Sequence, residues 1–409
     1  MLSRRAFLQG VAATTSGLVL RAAHSLEEPP MEPFVMASPE SHGMDPGRLA
    51  KAYAFIEDEL AAKSFPGATL AVTRNGALVG HRYWGACSTV GDANAPFGPR
   101  KYSILYSFTK AISMTVVAML HDDGLLDFDA PVRAYIPAFT GGGKDGITLR
   151  HLLTHSAGLP GLGPAPVYTK EQWEAAVELC CAAEVEWEPG SRTAYHGTSG
   201  LFIAAEAARR VVDDRPPWHE LCRQRLFEPL GAARFTGRIP DDPAAVAITP
   251  PPETPATTLD ETLVALIGHP AGGFLGTPLE MLQLLNLYLD GGVWNGERLL
   301  AADTVDETLR IQYGDAIAAA RQQGEGPAHE PWGLGWLVRG DEGPGWFGLG
   351  TVTSPRTFGH AGINTVIGVA DPELRLALAF LTTAPPPTDE DTIRIRNRVT
   401  DLVAGAAVS

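Results

Sequence analysis

The sequence predicts an α/β fold of the α+β type: one antiparallel sheet, built from both chain ends and covered by helices, beside a mainly helical middle. Three observations predict it. Near one end, residues 68–73 and 77–84 flank Asn75-Gly76, a pair that tolerates the positive φ angles of a type I′ hairpin turn. Near the other, residues 364–370 and 375–382 read as a second hairpin across Asp371-Pro372-Glu373-Leu374. Between them lies a long, mainly helical stretch broken by Pro/Gly loops.

Taken in chain order, residues 1–25 read as an export signal outside the fold. Ser3-Arg4-Arg5-Ala6-Phe7-Leu8 matches a twin-arginine signal, and residues 11–20 are too short an apolar stretch to span a bilayer. Ala23-His24-Ser25 offers small residues for cleavage, and the expected location is periplasmic or extracellular. Residues 26–39, rich in Pro and Glu, read as an extended arm. Residues 46–63 carry Leu49, Tyr53, Ile56 and Leu60 on one helical stripe, ahead of the first hairpin. The apolar run 111–120, closed by Asp122-Asp123-Gly124, has helical length, and a charged helix over 388–403 ends the chain. One catalytic domain is expected over 40–404. Its sheet part comes from about 40–100 and 330–404, its helical part from about 105–325. No internal repeat and no later membrane span is read.

At 409 residues and 45% hydrophobic content the chain can bury a large core. The net charge of −15 argues against nucleic acid and anionic membrane surfaces as partners, and loss of residues 1–25 would remove three arginines and no acid. Cys87, Cys180, Cys181 and Cys222 lack C-x-x-C spacing, which disfavours structural zinc. Mostly buried thiols are expected, with a Cys87–Cys222 bridge left open. Nothing sets an oligomeric state.

The chemistry concentrates in Ser107-Phe108-Thr109-Lys110. A serine and a lysine three residues apart share one helix face, and Ser107 falls at a helix N-terminus, where free N–H groups favour developing negative charge. Of the lysines, Lys110 alone has a serine three residues before it. A lysine in an apolar pocket beside another cation can lose its proton near neutral pH; arginine cannot.

Three later segments carry a family resemblance. His151-Leu152-Leu153-Thr154-His155-Ser156-Ala157-Gly158-Leu159, the turn Glu188-Pro189-Gly190 leading to Tyr195-His196-Gly197, and Phe358-Gly359-His360-Ala361-Gly362 stand in order after Ser107. With Glu228-Pro229-Leu230-Gly231 and Pro270-Ala271-Gly272-Gly273 between them, the chain resembles the serine hydrolases related to class C β-lactamases and penicillin-binding proteins, over about 39–404. The resemblance implies a β-lactamase-like fold with the active site in the cleft between sheet and helical parts. It implies Ser107 as nucleophile, with Lys110 and Tyr195 as the proton-handling pair. Near a lysine the Tyr195 phenolate would be favoured, so either group could be the base. The backbone N–H groups of Ser107 and Ile363 would form the oxyanion hole, Gly362 giving room for close approach. His360 and Gly197 fall at substrate-binding positions, and His151 and His155 become supports of the cleft rather than metal ligands.

Two departures from the family pattern bear on substrate. His360 replaces the usual lysine of the third motif and is charged only when protonated, so Arg356 is a candidate substitute cation. Gly197 replaces the usual asparagine, removing an amide worth about 1.5–3 kcal/mol toward a charged group. His196 or Thr198 could compensate, although a side chain next to Tyr195 in an extended segment points away. Trp332, Trp336, Trp346 and Phe347 line a pocket or pack in the core, and residues 250–255 read as a surface loop.

The resulting expectation is an exported serine hydrolase that cleaves a small-molecule carboxylic ester through a Ser107 acyl-enzyme, with no metal and no organic cofactor. The alternatives are a D-amino-acid peptidase, amidase or β-lactamase, an acyl transferase, or a non-catalytic ligand-binding relative. Absence of G-x-S-x-G disfavours a conventional α/β-hydrolase.

Overall fold

The Asp45 side chain accepts the Arg48 amide and Pro46 fills the first helical position, so the chain turns into a helix where the apolar stripe begins. This helix, α1 (Pro46–Ala61), buries Leu49, Tyr53 and Ile56. The computed structural model describes residues 33–161, 167–195, 197–248, 267–323, 328–341, 343, 347–363 and 365–408. The export signal, the first part of the arm, the 250–255 loop, His196, Trp346 and Asn364 lie outside the described residues.

The first hairpin forms as read. Strands β1 (Gly67–Arg74) and β2 (Ala77–Thr89) pair antiparallel, with Asn75 at φ 51° and Gly76 at φ 78°. Strand β2 runs on past the expected residue 84 to pair with β3 (Asp92–Pro96). From the far end come β4 (Leu337–Val338), β5 (Phe358–Ala361), β6 (Ile367–Asp371) and β7 (Leu376–Thr382). The sheet order is β3-β2-β1-β7-β6-β5-β4, each neighbour antiparallel, so the two chain ends meet at β1 and β7. In the second hairpin, β6 starts at Ile367 rather than 364. Ahead of it the Gly362 N–H bonds to the Val366 carbonyl.

The strand period of two sorts side chains to two cores. Leu70, Val72, Leu378 and Phe380 face one core with α1 and Ile395, Val399 and Val403 of the last helix, α5 (Asp389–Ala404). Ala71, Ala377, Ala379 and Leu381 face the other. There they meet the helical middle, which includes α2 (Thr109–Asp122), α3 (Ser199–Arg210) and α4 (Pro278–Leu289). The middle is not wholly helical. Tyr102–Ile104 pairs with Val246–Ala247 and Leu275–Gly276 in a small sheet that leads directly into the nucleophile turn. Along the arm, the Leu78 amide donates to the Val35 carbonyl and the Ala37 amide to the Leu78 carbonyl, fastening it to β2.

All four cysteines are free thiols, and Cys87, Cys180 and Cys222 are buried, so the Cys87–Cys222 bridge does not form. Among the described residues no helix is long and apolar enough to cross a membrane.

Candidate active site

Ser107 sits in a one-turn 3-10 helix, Tyr106–Phe108, that runs into α2. The preceding Tyr106 has φ 45°, a left-handed conformation uncommon for a non-glycine residue, and places Ser107 at the pocket wall. Two hydrogen bonds pin this turn to the 267–276 segment: Leu105 N–H to the Phe274 carbonyl, 2.9 Å, and Phe274 N–H to Thr109 Oγ1, 3.2 Å.

Lys110 lies one helical turn on and is 1% exposed. Its Nζ is 3.1 Å from Ser107 Oγ and donates to the Ala271 carbonyl at 2.7 Å. Burial alone lowers its pKa to about 7. The expected neighbouring cation is not the cause; removal from water suffices. Burial thus favours the neutral amine, which lies within hydrogen-bond distance of the serine oxygen.

Tyr195 stands over this pair, its ring centroid 5.2 Å from Lys110 Nζ. Its loop is fixed by Ala194 N–H to the His155 carbonyl and Thr193 N–H to the Ala328 carbonyl, both 3.0 Å. Rings of Trp332 (stacked, 5.9 Å), His155 (4.7 Å), Phe347 (5.9 Å) and His360 (6.3 Å) surround it. Its surroundings work against the favoured phenolate. Burial pushes the Tyr195 pKa far above its ordinary value, outweighing the hydrogen bond with Ser107 and the charge of Arg396, which lower it. Burial thus favours the neutral phenol at Tyr195 and the neutral amine at Lys110.

His360 departs from its expected place. Its side chain is fully buried behind Tyr195, among Trp332 and Phe347, with Nδ1 2.9 Å from the Ala361 carbonyl. Burial, then the charge of Lys110, lower its pKa to about 3, so it is a neutral packing group and not the pocket cation that a third-motif lysine would be. Arg356 is exposed on a turn and is not among the described residues that line the pocket. Trp332, Trp336 and Phe347 are core residues that back the site.

The described residues lining the pocket are Tyr106, Ser107, Gly197, Thr198, Ala271, Gly272 and Ile363. None carries a formal charge. A Cβ at Gly197 would meet none of the described residues within 4 Å, so the missing asparagine leaves space among them. Thr198 lines the pocket although an extended segment would have turned it away; Tyr195 precedes a helix start, not a strand. Gly362 packs against the nucleophile turn, where a Cβ would lie 2.5 Å from the Leu105 carbonyl oxygen and 3.2 Å from the Ser107 nitrogen. That contact sets Ile363 beside Ser107.

Sequence reasoning missed two residues. His269 accepts the Ala271 N–H on Nδ1 at 3.0 Å, holding the loop whose carbonyl meets Lys110; burial and then the Lys110 charge lower its pKa to about 3. Arg396 reaches in from α5 and donates to the Gly362 carbonyl. The neighbouring Pro-Ala-Gly-Gly punctuation is a weak signal for the first; nothing local marks the second. His151 caps its own short helix with Thr148, and His155 packs on Tyr195, so the two serve the cleft separately. Among the described residues no three His, Cys, Asp or Glu side chains converge as metal ligands.

A mixed α/β fold with a serine 3.1 Å from a buried lysine at the edge of a pocket fits a serine hydrolase. The Beta-lactamase family model matches residues 53–401, and the chain belongs to that family. It is 26% identical over 353 residues to the esterase/beta-lactamase LipL of Mycobacterium tuberculosis (strain ATCC 25618 / H37Rv), covering 78% of this chain and 77% of that protein. A putative D-alanyl-D-alanine carboxypeptidase of Escherichia coli O157:H7 is 23% identical over 394 residues, 85% of each chain. The fold is similar to a penicillin-binding protein homologue from Caulobacter crescentus, with TM-score 0.72 at 23% identity, over 89% of this chain and 99% of that one.

Proposed function

We propose that this serine hydrolase cleaves a carboxylic ester of a small molecule through an acyl-enzyme on Ser107. The observation that carries the mechanism is the 3.1 Å contact between Ser107 Oγ and Lys110 Nζ, with the amine buried and its pKa lowered to about 7. Lys110 takes the serine proton as Oγ attacks the acyl carbon. The N–H groups of Ser107 and Ile363 receive the developing oxyanion. Tyr195 gives its proton to the departing alkoxide and recovers one from Lys110, and water then releases the acid by the reverse sequence.

Two features support ester over amide or β-lactam. Glycine at 197 offers no side-chain amide there to orient a substrate amide, and the described pocket lining holds no cation for a penicillin-type carboxylate. An ester, with its better leaving group, demands less of both. A short nitrophenyl ester should be turned over with kcat/KM at least about a hundredfold above a chromogenic cephalosporin, and Ser107→Ala should abolish both. Gly197→Asn should raise cephalosporin turnover about tenfold, the worth of one hydrogen bond of about 1.5 kcal/mol, with ester turnover little changed. Efficient cephalosporin cleavage by the native protein would transfer the assignment to the β-lactamase and D-amino-acid peptidase reading.

The twin arginines Arg4-Arg5 and the apolar stretch behind them support export to the periplasm or beyond. Arg4→Lys with Arg5→Lys should leave the precursor in the cytoplasm; unchanged export by that variant would contradict the route.

A further inference from the structure

A cation from the last helix reaches the far side of the pocket wall. Arg396 lies on α5, is only 5% exposed, and donates through one terminal guanidinium nitrogen to the Gly362 carbonyl. Its stem is held in place: a side chain at Gly348 would come within 2.4 Å of Arg396 Cβ, so the 347–350 segment lies directly on it. Sequence neighbours Ile395 and Val399 anchor the same helix in the core under the sheet.

The Gly362 carbonyl and the Ile363 N–H belong to one peptide unit. That unit is trans, since the described chain has no cis bonds, and a trans peptide sends its C=O and N–H to opposite sides. A donor gripping the oxygen from the core side therefore turns the N–H away from the core, and Ile363 lines the pocket together with Ser107. A charged donor on the carbonyl also polarises the N–H across the same amide and makes it a stronger donor. Two backbone bonds close the turn, Gly362 N–H to the Val366 carbonyl at 2.7 Å and Val366 N–H to the Ile363 carbonyl at 3.3 Å, and neither holds the oxygen of the 362–363 peptide.

We propose that Arg396 is the positioning residue of the oxyanion hole: its guanidinium holds the Gly362 carbonyl so that the Ile363 N–H faces the substrate beside Ser107. Through this bond Arg396 acts on the hole by way of the 362–363 peptide rather than by contact with substrate. It acts where charge develops, so its contribution appears in the transition state more than in substrate binding.

The inference rests on the Ser107 acyl-enzyme reading, and the test separates the two. Arg396→Met, Arg396→Lys and Ser107→Ala are compared with the native protein for kcat and KM on a nitrophenyl ester, affinity for phenylboronic acid, and the pH midpoint of kcat/KM. Phenylboronic acid takes the serine oxygen onto boron and mimics the tetrahedral anion. Arg396→Met is expected to lower kcat/KM about ten- to a hundredfold, short of the about 10²–10³ for outright loss of an oxyanion donor. KM should change less than about threefold, and boronate affinity should fall in parallel with kcat/KM. The pH midpoint should not move, because the base is Lys110. Arg396→Lys, keeping a charge and a donor, should recover part of both losses, and it carries the test should the methionine variant fail to fold. Activity and boronate affinity within threefold of native in the folded variants would overturn the proposal. So would a kcat loss with unchanged boronate affinity, or a shifted pH midpoint, which would place the effect on Tyr195 or on general packing. Activity retained by Ser107→Ala would instead overturn the acyl-enzyme reading itself.

Discussion

Lys110→Met is expected to lower kcat/KM on an ester by about 10²–10⁴, the range for loss of a positioned general base, while the protein stays folded. Methionine fills much of the lysine volume in a site that is 1% exposed, so packing around it survives. The amine is what disappears. Lys110→Arg should lose as much, because a guanidinium stays protonated and cannot accept the Ser107 proton. The fold should even gain. Unfolded, Lys110 holds its proton up to its ordinary pKa of 10.5; folded, it gives that proton up above about 7. Between these values the unfolded chain binds more protons, so a burial-depressed lysine costs stability that grows as pH falls from 10.5 toward 7 and is constant below. Lys110→Met should accordingly show a Tm at pH 7 no lower than native. Loss of activity with a Tm many degrees lower would mean that the amine mattered to folding instead.

Gly362→Ala is expected to be the most damaging single-methyl change in the site, costing about 10² or more in kcat/KM. The added carbon would lie 2.5 Å from the Leu105 carbonyl oxygen and 2.9 Å from Tyr106 Cβ. The first of these is backbone, so relief requires the nucleophile turn and the Gly362–Ile363 turn to separate. A shift of about 1 Å between reacting groups can cost about a hundredfold. Ser107 labelling by a fluorophosphonate should slow in step, with the overall fold kept by the rest of the sheet. Native-like labelling would show that the close approach of the two turns is dispensable, and with it the shared oxyanion site.

What could be read from the sequence is what local spacing determines. Ser107 and Lys110 are one helical turn apart, so their contact needs only that the helix form. Asn75-Gly76 specifies its hairpin through backbone conformation alone, and both strands form around it. Protonation states were not legible in the same way. Tyr195 reads as an incipient phenolate beside a lysine, but packing among Trp332, Phe347 and His360 reverses the sign. His360 reads as a substrate contact by motif position, but its ring turns into that same aromatic cluster. Arg396 and His269 were invisible because tertiary folding brings them in. Arg396 meets a carbonyl 34 residues away, and the Ala271 carbonyl that His269 steadies meets a lysine 161 residues away. No periodicity or local motif encodes such contacts.

The most direct measurement of the central claim is the rate of Ser107 phosphonylation by a fluorophosphonate as a function of pH, in native protein and in Lys110→Met. A neutral Lys110 base predicts a native rate that rises with pH through a midpoint near 7 and then levels, and a Lys110→Met rate that is far lower with no such midpoint. Equal rates in the two proteins, or a native midpoint near the ordinary lysine pKa of 10.5, would contradict it.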